Sequence, residues 1–355
     1  RPQFVKAAVL SRAIEMNDKM KEVIVHTGQH FDKNMSDIFF EELHIAQPKY
    51  FLNIHGGSHG QMTGKMIEAV EKVLFREEPD IVLVYGDTNS TIAGALAAAK
   101  LQIPVAHVEA GIRSGYYLPE EVNRILTDQI SDFLFCPSQR AADCLRSSGI
   151  HSSKVFNVGD IMFDSVKFYS NKFDQEYLKQ HGLQGGDYVL LTLHREENTS
   201  CKEKLDDIVH ALIEVSKDKK IVFPVHPRTK KVLSEFGFYH KLSCAVKMID
   251  PQSYVNTLGL AANASCVITD SGGLQKEAYY MGTKVVVIKQ QTEWPELLET
   301  GMVSLIHVNA VHQLSQHVNN NTNIDANSQP YGQGNTAELI VETLVGAFSR
   351  SEVLL

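Results

Sequence analysis

The chain has 355 residues, of which 43% are hydrophobic, and it carries a formal net charge of −8. This length can bury a sizeable core and favours two domains over one. The negative charge argues against a nucleic-acid or anionic-membrane surface, so helix N-termini or single cationic side chains have to hold any anionic ligand.

The cysteines and the apolar runs narrow the class of protein further. The five cysteines are scattered without a CxxC spacing, which is typical of a reduced, cytoplasmic protein and argues against a zinc site. No apolar run approaches the length of a membrane span. We therefore expect a cytoplasmic protein that binds neither a membrane nor a metal ion.

Short apolar runs alternate with helical patterns along the whole chain, which predicts an α/β fold with parallel sheets. A polar, helix-like stretch at 163–187 joins the two halves. We expect an N-terminal domain at 1–165 and a C-terminal domain at 166–355, both doubly wound and facing a cleft. The predicted strands are 22–27, 81–85, 104–108, 133–136, 155–158, 188–193, 221–225, 246–249, 266–269, 284–288 and 304–308, and an amphipathic helix is predicted at 335–348.

Acidic residues stand where two predicted strands of the first half end. Asp87 follows the strand 81–85, Glu109 follows the strand 104–108, and an Ala-rich segment of helical length joins the strands. Ligands of open parallel sheets bind at the carboxyl ends of the strands, so Asp87 and Glu109 should face one crevice. Glu120, Arg113 and Arg124 follow closely along the chain. Such a group of acids and arginines favours a functional site.

The segment after the predicted strand 266–269 opens a helix. Ser271, Gly272 and Gly273 let backbone N–H groups approach an anion, and the helix dipole favours negative charge there. Glu277 lies about one and a half turns inward, where a carboxylate suits ribose hydroxyls better than phosphate. The segment therefore fits a nucleotide diphosphate, although an ordinary N-cap with permissive glycines is the alternative. Neither a Walker lysine pattern nor GxGxxG is present, which argues against ATP hydrolysis and bound NAD.

Two histidines follow successive predicted strands of the second half. His194 comes after the strand 188–193 and His226 after the strand 221–225. A histidine in such a position can act as an acid, a base or a phosphate ligand near neutral pH. Packing or a structural hydrogen bond is the alternative, and the repetition of the pattern favours function.

Seven segments, in order along nearly the whole chain, resemble the non-hydrolysing UDP-N-acetylglucosamine 2-epimerases. The beginning of the chain, from Arg1 to Lys6, also resembles the tail of a motif that opens these proteins, and the first strand of the family is missing before it, which favours a truncated sequence. The seven segments are Gly-Asp-Thr (86–88), His-Val-Glu-Ala-Gly-Ile-Arg-Ser (107–114), Pro-Glu-Glu-Val-Asn-Arg (119–124), His-Arg-Glu-Glu-Asn (194–198), Pro-Val-His-Pro (224–227), Thr-Asp-Ser-Gly-Gly-Leu-Gln-Lys-Glu-Ala (269–278) and Thr-Glu-Trp-Pro-Glu (292–296).

The resemblance implies two Rossmann-like domains of the glycosyltransferase-B type, with the last helix returning to the first domain. It implies inversion at C2 of a UDP-linked 2-acetamido sugar, through loss and re-addition of UDP, with no cofactor, neither NAD nor metal. It also implies a homodimer and a role in making bacterial surface polysaccharide.

Matching the motifs assigns roles to individual residues. Asp87, Glu109 and Glu120 become the acid/base candidates, and His194 becomes the general-acid or diphosphate-side candidate. At least one of the three carboxylates is expected only to orient an arginine. The residues expected to bind the sugar, the phosphates or the uridine are Arg1, Lys6, Arg113, Arg124, His226, Ser271, Gly272, Gly273 and Glu277.

Several activities stay open at this point. The segments 31–35 and 56–60 do not match the regulatory site of those family members that need a second substrate molecule. They resemble instead a branch that acts on UDP-2,3-diacetamido-2,3-dideoxyglucuronate. The sequence is also compatible with a glycosyltransferase of the same fold, with a hydrolysing epimerase and with a catalytically dead sugar-nucleotide binder.

Overall fold

The computed structural model describes residues 2–29, 43, 45–114, 118–320 and 328–351. The chain divides into unit 1, Arg1–Ser165 with Gln329–Leu355, and unit 2, Val166–Ser328. Every strand pairing between described residues is parallel, and helices connect successive strands. The predicted α/β class with parallel sheets is therefore confirmed.

The strands of unit 1 form two separate sheets. They are β1 Val25–His26, β2 Tyr50–Phe51, β3 Val82–Tyr85, β4 Val105–Val108, β5 Phe133–Cys136 and β6 Val155–Asn157. The larger sheet has the order β3-β4-β5-β6, and β1 pairs only with β2 among the described residues. Strand β2, which is only two residues long, is not among the strands predicted from the sequence.

The helices of unit 1 cover the larger sheet and place the ends of its strands. Among the described residues they are α1 Pro2–Glu15, α2 His59–Glu77, α3 Asn89–Lys100, α4 Pro119–Ile130, α5 Gln139–Ser147 and α6 Ile161–Ser170, with a 3₁₀ turn at Ser152–Lys154; only the first half of α6 belongs to unit 1. The Ala-rich helix α3 packs closely, with Ala95, Ala97 and Ala98 buried in one cluster with β3 and β4. Thr88 caps α3 through a capping box with Thr91. The capping residue Thr88 directly follows Asp87, so the cap fixes the backbone next to Asp87.

Unit 2 contains one six-stranded parallel sheet. Its strands are β7 Tyr188–Thr192, β8 Lys220–Pro224, β9 Lys247–Ile249, β10 Cys266–Thr269, β11 Val285–Ile288 and β12 Val303–Ile306. The order β12-β11-β10-β7-β8-β9 is doubly wound, and the strand order reverses between β7 and β10. In such sheets ligands bind at the carboxyl ends of the strands beside this switch point.

The helices of unit 2 bury the apolar faces of that sheet, and the last helix of the chain belongs to unit 1. They are α7 Glu176–Gln180, α8 Glu196–Thr199, α9 Lys202–Ser216, α10 Pro227–Glu235, α11 Tyr239–Ser243, α12 Tyr254–Ala262, α13 Gly272–Tyr280, α14 Pro295–Glu299 and α15 Leu314–Asn319, with a 3₁₀ segment at Val308–Gln313, and the last helix is α16 Thr336–Ser351. Asp164 caps α16 by accepting hydrogen bonds from the N–H groups of Thr336 (3.1 Å) and Ala337 (2.8 Å). Within the described part of the chain, no helix combines the length and the apolarity that crossing a bilayer requires.

Candidate functional site

Unit 1 brings two of the predicted acids together with two cations, and we call Lys6, Asp87, Glu109 and Arg124 the charged cluster. Asp87 and Glu109 follow the adjacent strands β3 and β4. Lys6, from α1, forms a buried ion pair with Glu109, and Arg124, from α4, forms a partly buried ion pair with Asp87. Burial alone would lower the pKa of Arg124, but the carboxylates of Asp87 and Glu109 raise it. Both acids therefore act on the same guanidinium.

The backbone of Glu109 adopts a left-handed conformation with φ of +70°. For a residue with a Cβ atom, this conformation costs roughly 1–2 kcal/mol. The turn is held by Phe135, whose carbonyl accepts hydrogen bonds from the N–H groups of both Glu109 and Ala110 at 3.0 Å. Strained backbone of this kind clusters at functional sites, where it aims a side chain. Here it aims a carboxylate that is only 8% exposed.

The guanidinium of Arg124 has more donors than the described residues use. Its side chain is 11% exposed, and its Nη2 atom pairs with Asp87. Its Nε and Nη1 atoms are buried and have no hydrogen-bond partner among the described residues. A buried donor without a partner is destabilising by about 1–3 kcal/mol, and more when it is charged. The unused donors of Arg124 are therefore suited to an acceptor atom of a ligand.

Two other predicted residues of unit 1, Arg113 and Glu120, lie apart from these ion pairs. Arg113 donates from Nη1 to Asp128 at 2.7 Å. Its charge is therefore balanced by an acid of α4 that lies outside the sequence motifs. Glu120 is exposed in the first turn of α4, and it makes no hydrogen bond or ion pair with any residue that the structure describes. Arg1 lies outside the described residues.

In unit 2 the predicted residues gather at the carboxyl ends of three adjacent strands. His226 follows β8, His194 follows β7, and the segment from Asp270 to Gly273 follows β10. The rings of His194 and His226 have their centroids 6.5 Å apart. His226 also caps α10, because its Nδ1 atom accepts a hydrogen bond from the N–H of Arg228 at 3.2 Å. The switch point of this sheet therefore carries the histidines and the Gly-Gly turn together.

Asp270 organises this edge of unit 2. Its carboxylate is fully buried and accepts hydrogen bonds from the backbone N–H groups of His194 (3.0 Å) and Arg195 (2.8 Å) and from Asn198 Nδ2 (3.2 Å). His194 Nδ1 lies 3.5 Å from the same carboxylate. These contacts fasten the loop after β7 to the end of β10. Asp270 thus aligns His194 with the turn that opens α13.

The start of α13 has the form of an anion-binding site. Ser271 is the N-cap residue, and its Oγ atom accepts a hydrogen bond from the N–H of Leu274 at 3.4 Å. The first two helical residues are Gly272 and Gly273, and a Cβ atom added at Gly273 would have no neighbour closer than 4.0 Å. Glu277 lies further along the helix and is only 8% exposed. The geometry agrees with a phosphate approaching the glycines and hydroxyls approaching the carboxylate.

The only tryptophan supports this turn from the side. Trp294 donates from Nε1 to the carbonyl of Gly272 at 3.1 Å, and the Nζ atom of the buried Lys276 lies 3.6 Å from the centroid of its indole ring. Beside it, Glu293 accepts hydrogen bonds from Lys289 at 2.6 and 2.9 Å. Burial would raise the pKa of Glu293, but Lys289 and Arg195 lower it. These contacts give the motif 292–296 a supporting role at the Gly272 turn.

The two groups of residues differ in what they can do chemically. The charged cluster can accept, donate or hold a proton and can stabilise negative charge. The start of α13, with the two histidines beside it, can hold a diphosphate and a ribose. Among the described residues, no group of three or more His, Cys, Asp or Glu side chains is placed to hold a metal ion.

Three residues that support these sites are not among the site residues predicted from the sequence. Asp128 lies four positions after Arg124 in α4, a spacing that places two residues on one helical face. His107 stands inside the motif 107–114, and Asp270 stands inside the motif 269–278. Their positions were therefore visible in the sequence, but their buried contacts depend on the tertiary structure.

Comparisons with known proteins point to the same family as the sequence motifs. The family model described as UDP-N-acetylglucosamine 2-epimerase matches residues 12–345. The chain is 47% identical over 352 residues to the UDP-2,3-diacetamido-2,3-dideoxy-D-glucuronate 2-epimerase of Pseudomonas aeruginosa, with 97% of each chain covered. It is 45% identical over 351 residues to a UDP-N-acetylglucosamine 2-epimerase homolog of Methanococcus maripaludis, again with 97% of each covered.

A solved structure gives the same result. The crystal structure of Methanocaldococcus jannaschii UDP-GlcNAc 2-epimerase in complex with UDP-GlcNAc and UDP matches with a TM-score of 0.86 at 42% identity and covers 97% of each chain. The predicted fold class and the resemblance on which the site residues were selected are both confirmed.

Proposed function

Because the chain belongs to the UDP-N-acetylglucosamine 2-epimerase family, a family of isomerases, we propose that it inverts C2 of UDP-N-acetylglucosamine to give UDP-N-acetylmannosamine. The charged cluster carries this proposal. It contains two carboxylates at the ends of adjacent strands, a cation on each, and buried guanidinium donors that no described residue satisfies.

The proposed chemistry is an elimination followed by an addition. The C2 proton lies next to an acetamido group and is hardly acidic, so direct deprotonation is unfavourable. Breaking the C1–O bond while a base removes this proton forms a C1=C2 double bond, and the electron pair leaves on the β-phosphate oxygen of UDP. UDP then adds back to C1 while an acid protonates C2 from the opposite face. No net oxidation occurs, so the reaction needs no redox cofactor.

We assign the proton transfers to unit 1. The acid/base candidates are Asp87, Glu109 and Glu120, of which the first two are paired with cations. Arg124 orients Asp87, and its remaining donors are suited to an oxygen of the sugar or the departing diphosphate. Lys6 forms an ion pair with Glu109 and balances its charge. Arg1 and Arg113 keep their predicted roles as further cations around the sugar and the phosphates.

We assign UDP binding to unit 2. The backbone N–H groups of Gly272 and Gly273, and the dipole of α13, hold the phosphates, and Glu277 accepts hydrogen bonds from the ribose. Ser271 and His226 complete the diphosphate contacts. His194, which Asp270 holds at this edge, protonates or neutralises the departing phosphate oxygen.

A second substrate is favoured by a specific similarity. The relative with 47% identity is named for UDP-2,3-diacetamido-2,3-dideoxy-D-glucuronate, whose reacting carbon is the same. The same elimination and re-addition would invert it. This sugar carries an additional carboxylate and a second acetamido group, so the ratio of kcat/KM for the two sugar nucleotides distinguishes the two assignments.

We further propose a homodimer in the cytoplasm. Helix α4 exposes Leu118 (46%), Val122 (47%), Ile125 (40%) and Leu126 (50%), an apolar stripe that a second copy of the chain could cover. All five cysteines are free thiols in the structure, as is usual in a reducing compartment. Light scattering of the protein and of Leu126→Glu tests the dimer, which the substitution should dissociate.

Proton NMR of the reaction mixture tests the proposed activity. With UDP-GlcNAc as the only substrate, the anomeric signal of UDP-N-acetylmannosamine should appear without free UDP accumulating. Stoichiometric UDP with free N-acetylmannosamine would instead identify a hydrolysing epimerase. UDP release that depends on an added acceptor would identify a glycosyltransferase. Thermal stabilisation by UDP without conversion of either sugar nucleotide would identify a binding protein.

A further inference from the structure

His107 forms a buried bridge beneath the charged cluster. It lies on β4 and is fully buried. Its Nδ1 atom lies 2.8 Å from Asp128 Oδ1, and its Nε2 atom lies 2.7 Å from the carbonyl oxygen of Gly86. A carbonyl oxygen only accepts hydrogen bonds, so Nε2 carries a proton.

The other ring nitrogen, Nδ1, faces the carboxylate of Asp128, which two further donors also hold. This carboxylate accepts hydrogen bonds from Arg113 Nη1 at 2.7 Å and from the N–H of Gly111 at 3.3 Å. Burial would raise the pKa of Asp128, but His107 and Arg113 lower it. Besides Asp128 on α4 and Arg113 on the loop, Cys136 of the neighbouring strand β5 is the other titratable group here, and burial of its thiol raises its pKa.

The bridge joins the two turns that carry the acids. At one end, the Gly86 carbonyl directly precedes Asp87, in a turn where Gly86 has φ of +62° and its N–H donates to the carbonyl of Val108 at 3.0 Å. At the other end, Asp128 holds the N–H of Gly111, two residues after Glu109. Rotation of the Gly86 turn would therefore break a contact of the ring, and rotation of the Glu109 turn would break a contact of Asp128, the ring's other partner. The bridge is separate from the ion pairs that Asp87 and Glu109 form themselves.

We propose that His107 is a positioning residue whose ring holds the Gly86–Asp87 turn, so that the carboxylate of Asp87 faces the reacting sugar. This role rests on the proposed epimerase function. The ring contacts neither acid side chain in the described structure, so it acts through the backbone of Gly86. A displacement of about 1 Å in a reacting group can reduce the rate of a reaction about a hundredfold.

Two substitutions separate the ends of the bridge. In His107→Asn, the amide nitrogen takes the place of Nδ1 and can bind Asp128 but cannot reach Gly86. In His107→Gln, the amide nitrogen takes the place of Nε2 and can still donate to Gly86. For folded protein, we expect kcat to fall about 10- to 100-fold in His107→Asn, with KM within about threefold of wild type. His107→Gln should retain several times more activity. Equal losses in both variants, or an unchanged kcat in His107→Asn, would overturn the proposal.

Two further measurements test the inference independently of the enzymatic activity. The ¹⁵N spectrum of the wild-type protein, assigned by the signals missing in His107→Gln, should show a proton on Nε2 of His107, and a bare Nε2 would refute the hydrogen bond to Gly86. Crystal structures of wild type and His107→Asn should show a displaced Asp87 carboxylate, whereas an unmoved one would refute its positioning. If wild type converts no sugar nucleotide, the proposed function fails, and these two results still decide whether His107 holds the turn.

Discussion

The two units balance their buried acids in different ways. In unit 1, Glu109 is paired with Lys6, which lies 103 positions away in the chain, and Asp87 is paired with Arg124. In unit 2, Asp270 is balanced mainly by the backbone N–H groups of His194 and Arg195 and by an amide of Asn198. Charged side chains can exchange protons and partners, whereas backbone dipoles stay fixed. Unit 1 is therefore suited to chemical change, and unit 2 to holding a ligand whose charge is constant.

This contrast predicts different kinetic signatures. Substitutions in the charged cluster should lower kcat while UDP still binds. Substitutions at the start of α13 should weaken UDP binding with a smaller effect on the chemical step. A variant of either unit that showed the opposite pattern would contradict this division of roles.

The largest effect is expected from Glu109→Gln. This change removes a carboxylate that can transfer a proton and leaves Lys6 without a charged partner, so we expect kcat to fall about 10²–10⁴-fold. The rise in melting temperature on adding UDP should persist, because unit 2 is unchanged. Glu68→Gln in α2, at an exposed carboxylate paired with Lys72, serves as the control and should be fully active. A Glu109→Gln variant with normal turnover would remove Glu109 from the acid/base candidates.

Arg124→Lys should have the next largest effect. A lysine can pair with Asp87 but lacks the planar fork and the extra donors that Nε and Nη1 provide. We expect kcat/KM to fall about 10- to 100-fold, since roughly one to three kcal/mol of transition-state stabilisation corresponds to that range. Steady-state kinetics on the folded variant measure it. Equal kcat/KM for Arg124→Lys and wild type would show that these two donors do not contact the substrate.

Gly272→Ala tests the same division of roles in unit 2. The added Cβ atom would lie 3.5 Å from Arg195 Nη2 and 3.6 Å from Glu293 Oε2, ordinary van der Waals distances that the fold tolerates. It would, however, occupy the approach to the helix N-terminus. We expect the Kd for UDP, measured by calorimetry, to rise about tenfold, equivalent to about 1.4 kcal/mol. Gly346→Ala in α16, where the added atom meets nothing within 4 Å, is the matched control.

The smallest predicted effect concerns the strained backbone of Glu109. Glycine adopts φ of +70° without strain. The free energy of unfolding of Glu109→Gly should therefore be about 1 kcal/mol larger than that of Glu109→Ala. Denaturant titration of both variants measures the difference. At Glu68, inside helix α2, the order should reverse, because glycine is about 1 kcal/mol less favourable than alanine in a helix. If alanine were the more stable residue at both positions, the turn would hold no strain.

The parts of the fold that follow local patterns could be predicted from the sequence. The apolar run 81–85 gives β3 at Val82–Tyr85, and the run 266–269 coincides with β10 at Cys266–Thr269. The Ser-Gly-Gly segment opens α13 with Ser271 as its cap, as its turn chemistry indicates. Both the alternation of hydrophobicity and helix capping depend on neighbours in the chain, so one sequence is enough to show them.

The features that depend on distant residues could not be predicted. The sequence does not show that Asp128 pairs with Arg113, or that Lys6 pairs with Glu109. The packing of α1 and α4 around the sheet brings these partners together. The left-handed backbone of Glu109 is also hidden, since glutamate has no preference for it. Strand β2 is only two residues long, too short for a recognisable pattern, and it is defined by its pairing with β1.

Isotope exchange at a single carbon decides whether the proposed elimination and re-addition of UDP takes place. The wild-type protein is incubated with UDP-GlcNAc in D₂O, and the sugar nucleotides are recovered and analysed by mass spectrometry and NMR. We predict one deuterium at C2 in UDP-N-acetylmannosamine and, after return through the reverse reaction, in UDP-GlcNAc. Epimerised product that kept its original hydrogen at C2 would contradict this mechanism, as would the absence of exchange from both this substrate and the diacetamidoglucuronate nucleotide.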